Sequence, residues 1–222
     1  MENMVQRYCE SLKIPTFSLF NAAFDSGIPT NQIAEDTLPC FSKSGRIYTG
    51  FRHYPGFDLD LAGVTCILLT RDPRDMLVSM YYSVSRSHVI PKNHQKFMKN
   101  RHEATRMTVD EFVLKKSVEY ARNFQKYKQK LPTETLTTYR YEDVIYEKEK
   151  WLGNLVTKLG LPQDPDLIHR TSREFDIFPE VEDQEKHIRQ VHPGNYKNKL
   201  KRKTIDILSN KLSKFLSHYD YS

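Results

Sequence analysis

Cysteine is scarce in this chain. Its 222 residues hold three, Cys9, Cys40 and Cys66, with no Cys-x-x-Cys spacing. An odd, sparse set argues against a disulfide framework and against a zinc ribbon. No Asn-x-Ser/Thr sequon occurs, and Glu2, Arg7, Glu10 and Lys13 interrupt the stretch where a signal peptide needs an apolar core. No apolar run approaches the roughly 20 residues that span a bilayer. These absences make a reducing cytoplasm the expected location, with no transmembrane segment. Glycine is also sparse, eight residues against eleven prolines, which excludes a collagen-like chain. None of the eight belongs to a Gly-x-x-x-x-Gly-Lys-Ser/Thr loop, which excludes a P-loop kinase.

What is present points to a globular protein. Hydrophobic residues make up 38%, with twelve Phe and thirteen Tyr, far from the composition of a disordered chain. No internal repeat or linker-like stretch appears, so one domain over 1–222 is expected. The 34 Lys+Arg exceed the 28 Asp+Glu, giving a net charge of +6, unevenly spread. Residues 86–106 hold six Lys/Arg, three His and one acid, and Lys197, Lys199, Lys201, Arg202 and Lys203 form a second basic run. Such patches suit phosphates, nucleotides or other polyanions, or serve as solvated surface. No RNA- or DNA-binding motif accompanies them, so nucleic acid is not an expected partner.

Local patterns predict alternating helices and buried strands. Residues 3–12 read as a short helix, 46–51 as a short strand, and 14–44 show no sustained period. The continuous apolar run 64–70 reads as a strand buried on both faces. Asp72 then offers an N-cap, Pro73 a first helical residue and Asp75 a first-turn acid, with Leu77, Met80, Tyr81 and Val84 at helical spacing. Thr108 and Glu111 form a capping box before a longer helix. A strand over 134–139, a helix over 146–159 and a last helix over 203–218 follow. The expected fold is α/β: a central, mostly parallel sheet flanked by helices.

The turn between strand 64–70 and the next helix is where the chemistry concentrates. Ligands of open α/β sheets bind beyond the carboxyl ends of the strands. A helix N-terminus there presents unpaired N–H groups that suit a phosphate, and the Arg71 guanidinium adds a planar fork matched to phosphate oxygens. Ser79 lies in the second helical turn and can donate a hydroxyl.

The run LLTRDPRDMLVSMYYS (68–83) resembles the 3′-phosphate-binding segment of the sulfotransferases that use 3′-phosphoadenosine 5′-phosphosulfate (PAPS). In that family an Arg at the strand end and a Ser eight residues on hold the 3′-phosphate, which implies those roles for Arg71 and Ser79. Other segments are similar in family order. FRHYP (51–55) resembles Lys-Thr-His-x-Pro, implying that His53 is the general base. Tyr139-Arg-Tyr-Glu-Asp (139–143) resembles the Tyr-Glu-Asp segment, implying that Tyr141 contacts adenine. Thr171-Ser172 resembles the Thr-Ser pair near the nucleotide, so Ser172 joins the binding set. Arg189-Gln-Val-His-Pro-Gly-Asn-Tyr-Lys197 resembles Arg-Lys-Gly-x-x-Gly-Asp-Trp-Lys, implying that Arg189 meets the 3′-phosphate. The resemblance covers about residues 46–218.

The chain departs from the pattern in identifiable places. The family begins with a strand and a Pro-Lys-x-Gly-Thr-Thr loop that cradles the 5′-phosphosulfate, and no such segment occurs here. The expected fold is therefore the P-loop-like sulfotransferase fold, N-terminally truncated. Phe51 stands where the family has Lys, Gln190-Val191 replace Lys-Gly, and Asn195-Tyr196 replace Asp-Trp. The resemblance implies sulfuryl transfer from PAPS to a hydroxyl or amine, with 3′-phosphoadenosine 5′-phosphate (PAP) as product and no metal. The alternative is a non-catalytic descendant that binds PAP or a polyanion and transfers nothing. The acceptor is unknown from sequence; the basic stretch 86–106 would suit an acidic molecule such as a glycan.

Overall fold

The computed structural model describes residues 1–28, 33, 41–87, 95–183 and 188–221. Among the described residues four strands, β1 (Thr16–Phe17), β2 (Ile47–Tyr48), β3 (Cys66–Thr70) and β4 (Leu136–Arg140), form two two-stranded sheets, β1 with β2 and β3 with β4. Between and after them run α1 (Glu2–Ser11), α2 (Leu19–Asp25), α3 (Pro73–Tyr82), α4 (Gln95–Thr105), α5 (Val109–Lys130) and α6 (Tyr141–Val144). The chain ends with α7 (Lys148–Lys158), α8 (Pro165–Glu174), α9 (Tyr196–Lys199), α10 (Arg202–Lys211) and α11 (Ser213–His218). A π-helical turn, Ser83–Ser87, continues α3. The architecture is α/β. The chain packs as two compact units: Met1–Leu68, Lys130–Tyr139 and Asp143–Ile177 form the first, and Leu69–Gln129, Arg140–Glu142 and Phe178–Ser222 the second.

In the first unit β1 and β2 are parallel, with Thr16 opposite Ile47 and Phe17 opposite Tyr48. Met4, Tyr8 and Cys9 of α1, Trp151, Leu152, Leu155 and Val156 of α7, and Leu167 of α8 are buried there. The Tyr8 hydroxyl donates to the Pro162 carbonyl at 2.7 Å and accepts from Asp164 N at 3.2 Å, tying α1 to the start of α8. Gly50 has φ +76°, and a Cβ there would collide with Ser18 Oγ and Glu2 Oε1, so the turn after β2 requires glycine.

The second unit has a continuous apolar core. Leu77 and Val78 of α3, Phe112, Val113 and Phe124 of α5, Leu208 of α10, and Phe215 and Leu216 of α11 meet in it. The helix starts follow their local chemistry. Asp72 Oδ1 accepts from Arg74 N at 2.8 Å with Pro73 in the first turn, which fixes the start of α3. At α5, Thr108 N donates to Glu111 Oε2 at 2.8 Å and Glu111 N to Thr108 Oγ1 at 3.3 Å, a reciprocal capping box.

Three differences from the sequence pattern stand out. The final helix divides at Leu212, which takes φ −104° and ψ 9°. A tight bond from Phe215 N to the Leu212 carbonyl, at 2.9 Å, restarts it. Leu208, Leu212, Phe215 and Leu216 remain in one core, which is why the apolar spacing survives the break. Residues 14–28, without period in the sequence, hold β1 and α2. A helix over 165–174 starts on Asp164-Pro165, with Leu167 N donating to Asp164 Oδ1 at 2.9 Å, the same signature as Asp72-Pro73. Among the described residues no helix is long and apolar enough to cross a membrane.

Candidate functional site

Arg71 leaves β3 directly before the Asp72 cap of α3. The neighbouring backbone is pinned: Asp72 N donates to Glu142 Oε1 at 2.9 Å, and Tyr221 Oη donates to Glu142 Oε2 at 3.0 Å. Thr70 Oγ1 and Tyr221 Oη also lie 3.0 Å apart. Burial pushes the Tyr221 phenol far up, so it stays a neutral donor. Glu142 thus holds the β3–α3 turn and is itself part of the Tyr-Glu-Asp segment. With its backbone fixed, Arg71 lays its guanidinium over the Tyr141 ring, 4.4 Å from the centroid. Such a stack contributes about 0.5–2 kcal/mol. Arg71 Nε is buried and has no hydrogen-bond partner among the described residues. A buried donor without an acceptor costs about 1–3 kcal/mol, which an anion oxygen would relieve.

A loop from the C-terminal part of the same unit supplies the second arginine. Arg189 is 7% exposed and ion-pairs with Glu182. Its guanidinium lies 4.5 Å from the centroid of the Tyr82 ring, on the last turn of α3. Oriented with its oxygen toward the guanidinium, the Asn195 amide accepts from both Arg189 Nη atoms at 3.0 Å. Lys199 Nζ reaches Glu182 Oε2 at 2.9 Å and lies 5.7 Å from the same Tyr82 ring. Burial alone would raise the Glu182 carboxyl; hydrogen bonds from Lys199 and Arg189 outweigh it and hold the carboxyl below its ordinary value.

Asp75 fastens this loop to α3. Its side chain accepts from Gly194 N at 2.5 Å and from Tyr196 N at 2.8 Å, and the residue is 2% exposed. Gly194 has φ +84°, a conformation that favours glycine. Burial pushes the Asp75 carboxyl up, and the two backbone bonds with the Arg71 charge offset only part of that rise. The Tyr141 hydroxyl adds a second tie, donating to the Val191 carbonyl at 2.8 Å.

The sequence-derived residues therefore fall into two groups. Arg71, Ser79, Tyr141 and Arg189 belong to the second unit. Ser79 is half-buried on α3, three residues before Tyr82 and so on a neighbouring part of the same face. His53 and Ser172 belong to the first unit. His53 is exposed, in a bend after β2. Ser172 is buried in α8 and its hydroxyl donates to the His169 carbonyl at 2.8 Å. Phe51, at the family's lysine position, packs its ring on Phe20 at 5.7 Å and Phe41 at 6.1 Å, a structural role that a lysine would not fill.

The basic stretch 86–106 is only partly surface charge. Arg101 donates to the carbonyls of Val84 and Arg86, each at 3.2 Å, and so closes the π-helical turn. Lys99 is exposed. His88, Lys92 and His94 lie outside the described residues. Among the described residues no group of three or more His, Cys, Asp or Glu is arranged to hold a metal.

Asp75, Tyr82, Glu142, Glu182 and Lys199 were not singled out as site residues from sequence. Glu142 lay inside a quoted motif and Lys199 inside a basic run. Glu182 carries no local signal, since its partners come from a loop seven residues on and from α9.

The fold has known counterparts. Mouse sulfotransferase SULT7A1, solved in complex with PAP, superposes with a TM-score of 0.56 at 15% identity, over 97% of this chain and 94% of that one. Retinol dehydratase, solved with androsterone and the inactive cofactor PAP, superposes with a TM-score of 0.50 at 17% identity, over 82% of this chain and 56% of that one. No curated protein matches in sequence. The family model for the sulfotransferase domain matches residues 63–214, more than half of the chain and the segment that carries Arg71, Tyr141 and Arg189. The chain belongs to the sulfotransferase domain family.

Proposed function

We propose that this chain is a PAPS-dependent sulfotransferase whose second unit binds the nucleotide. The observation that carries the reading is Arg71: a guanidinium at a strand-to-helix turn, stacked on Tyr141, with a buried Nε that has no acceptor among the described residues. Arg71, Ser79 and Arg189 would hold the 3′-phosphate, and Tyr141 would face the purine once Arg71 turns to the anion. Ser172 is assigned to the nucleotide, and His53 to general base, by the resemblance alone.

PAPS supplies the sulfuryl group when bound. Transfer would form a bond from the acceptor oxygen or nitrogen to sulfur and break the bond from sulfur to the phosphate oxygen, whose electron pair would leave with PAP. The acceptor proton would pass to the His53 imidazole in the general-base role the resemblance implies. Charge on the departing phosphate and positioning dominate such transfers. Transfer of labelled sulfuryl from PAPS to a panel of phenols, alcohols, amines and acidic glycans tests the reading. Activity that falls by about a hundredfold or more in both His53→Ala and Arg71→Ala is expected. Transfer unaffected by either change would refute the assignments.

A second reading keeps the nucleotide contacts and drops the transfer. It is favoured by Phe51, whose ring packs on Phe20 and Phe41 at the position where the family has a lysine. PAP binding without transfer to any acceptor in the panel would select it.

A further inference from the structure

We infer that Glu182 stands in for the nucleotide's 3′-phosphate and that Lys199 is a further ligand of that phosphate. The inference rests on the nucleotide-binding reading above and adds a residue that sets its specificity.

The geometry is that of an anion between two cations. Glu182 uses Oε1 for Arg189 and Oε2 for Lys199, one oxygen for each. Both cations lie beside the Tyr82 ring on α3. Arg189 is 7% exposed and the Lys199 side chain 21%, so two poorly hydrated positive charges converge on one place. Burying such charges without a counter-ion is strongly unfavourable. A carboxylate meets that need with one negative charge and two oxygens. A phosphate monoester brings close to two charges and three oxygens, in the fork geometry an Arg prefers. When it arrives the two cations change partner, and Glu182 turns out to solvent.

The exchange has a consequence for selectivity. An entering anion must outcompete a carboxylate already in place, so only a group with more charge than one carboxylate, such as a phosphate monoester, gains by entering. Nucleotides that lack the 3′-phosphate gain nothing from displacing Glu182. The carboxylate therefore lowers affinity for a 3′-phosphate nucleotide and leaves affinity for its 3′-hydroxyl counterpart unchanged, while Lys199 supplies preference for the phosphate. Lys199 acts only after release from Glu182, so its contribution depends on the phosphate being present.

Calorimetric titration of PAP and of 5′-AMP into wild type, Glu182→Gln, Lys199→Met and Arg71→Ala tests this, with Glu103→Gln as a control for net charge on an exposed pair. Glu182→Gln should bind PAP about tenfold more tightly and 5′-AMP within about twofold of wild type. Lys199→Met should weaken PAP by about fivefold or more and leave 5′-AMP unchanged. The control should change neither. Unchanged or weaker PAP binding by a folded Glu182→Gln, with Arg71→Ala still losing PAP, would overturn the inference and leave the nucleotide site standing. Absence of PAP binding in wild type and Glu182→Gln alike would remove both. If Glu182→Gln fails to fold, Lys199→Met decides alone: PAP affinity equal to wild type overturns the assignment.

Discussion

Replacing Asp75 by Ala gives the sharpest test of how the second unit is assembled. The carboxylate is 2% exposed and accepts from two backbone donors, Gly194 N and Tyr196 N. Truncation to a methyl leaves both donors unmatched, at about 1–3 kcal/mol for each buried donor. The Gly194 bond is only partly buried, so water recovers some of that loss, and about 2–4 kcal/mol is expected. Loss of a first-turn acid from α3 adds at most about 0.5–1 kcal/mol, so the loop bonds dominate. Relief of a buried charge acts in the opposite direction, because burial already pushes this carboxyl up. Asp75→Asn retains one acceptor but turns an amide N–H₂ toward the other donor, so its stability should fall between wild type and Asp75→Ala. Urea unfolding followed by far-UV circular dichroism measures the difference. For a chain of this size the melting temperature should drop by about 5–15 °C in Asp75→Ala. A loss below about 0.5 kcal/mol in Asp75→Ala would refute the claim that this side chain holds the Gly194–Tyr196 loop.

Further outcomes follow from single groups. Glu182 is held below its ordinary pKa of 4.5, so its stabilisation is complete above that value and disappears as the pH falls through the lower folded value. Glu182→Gln should therefore flatten the acid side of the stability curve measured by urea titration at stepped pH. Burial pushes the Cys9 thiol up to about 11 and raises Cys66, and both are buried, so in a Cys40→Ser background neither should react with Ellman's reagent at pH 8 until the chain unfolds. Neutralising Lys92, Lys96 and Lys99 together should raise the KM of an acidic acceptor several-fold while leaving that of an uncharged phenol unchanged; an unchanged KM for the acidic acceptor would show that the stretch 86–106 does not face it.

Local chemistry was legible in the sequence wherever it acts over a few residues. Asp72 with Pro73, and Thr108 with Glu111, marked the starts of α3 and α5 because caps join atoms two or three residues apart. Asp164-Pro165 carries the same signal for α8, yet no helix is expected there from the sequence pattern. The divided final helix was not legible, since the break at Leu212 keeps every apolar side chain in the core. Nor was β1 or α2, where two residues of strand and seven of helix are too short to establish a period.

The candidate site divides in the same way. Arg71, Ser79, Tyr141 and Arg189 could be named from motifs, yet the stack of Arg71 on Tyr141 joins residues 70 positions apart. Asp75 illustrates the limit best. Its position suggests a first-turn acid interacting with the helix end, whereas its carboxylate reaches a loop 119 residues away. Glu182 had no motif to mark it, and its meaning comes only from the two cations it joins.

Arg71 is proposed to anchor the 3′-phosphate of an adenine nucleotide. Calorimetric titration of PAP into wild type and Arg71→Ala, at low and moderate salt, tests it most directly. Wild type should bind PAP saturably, with binding weakened by added salt as for any phosphate contact and lost in an Arg71→Ala protein that remains folded. Equal PAP affinity in the two proteins, or none in a folded wild type, would contradict it.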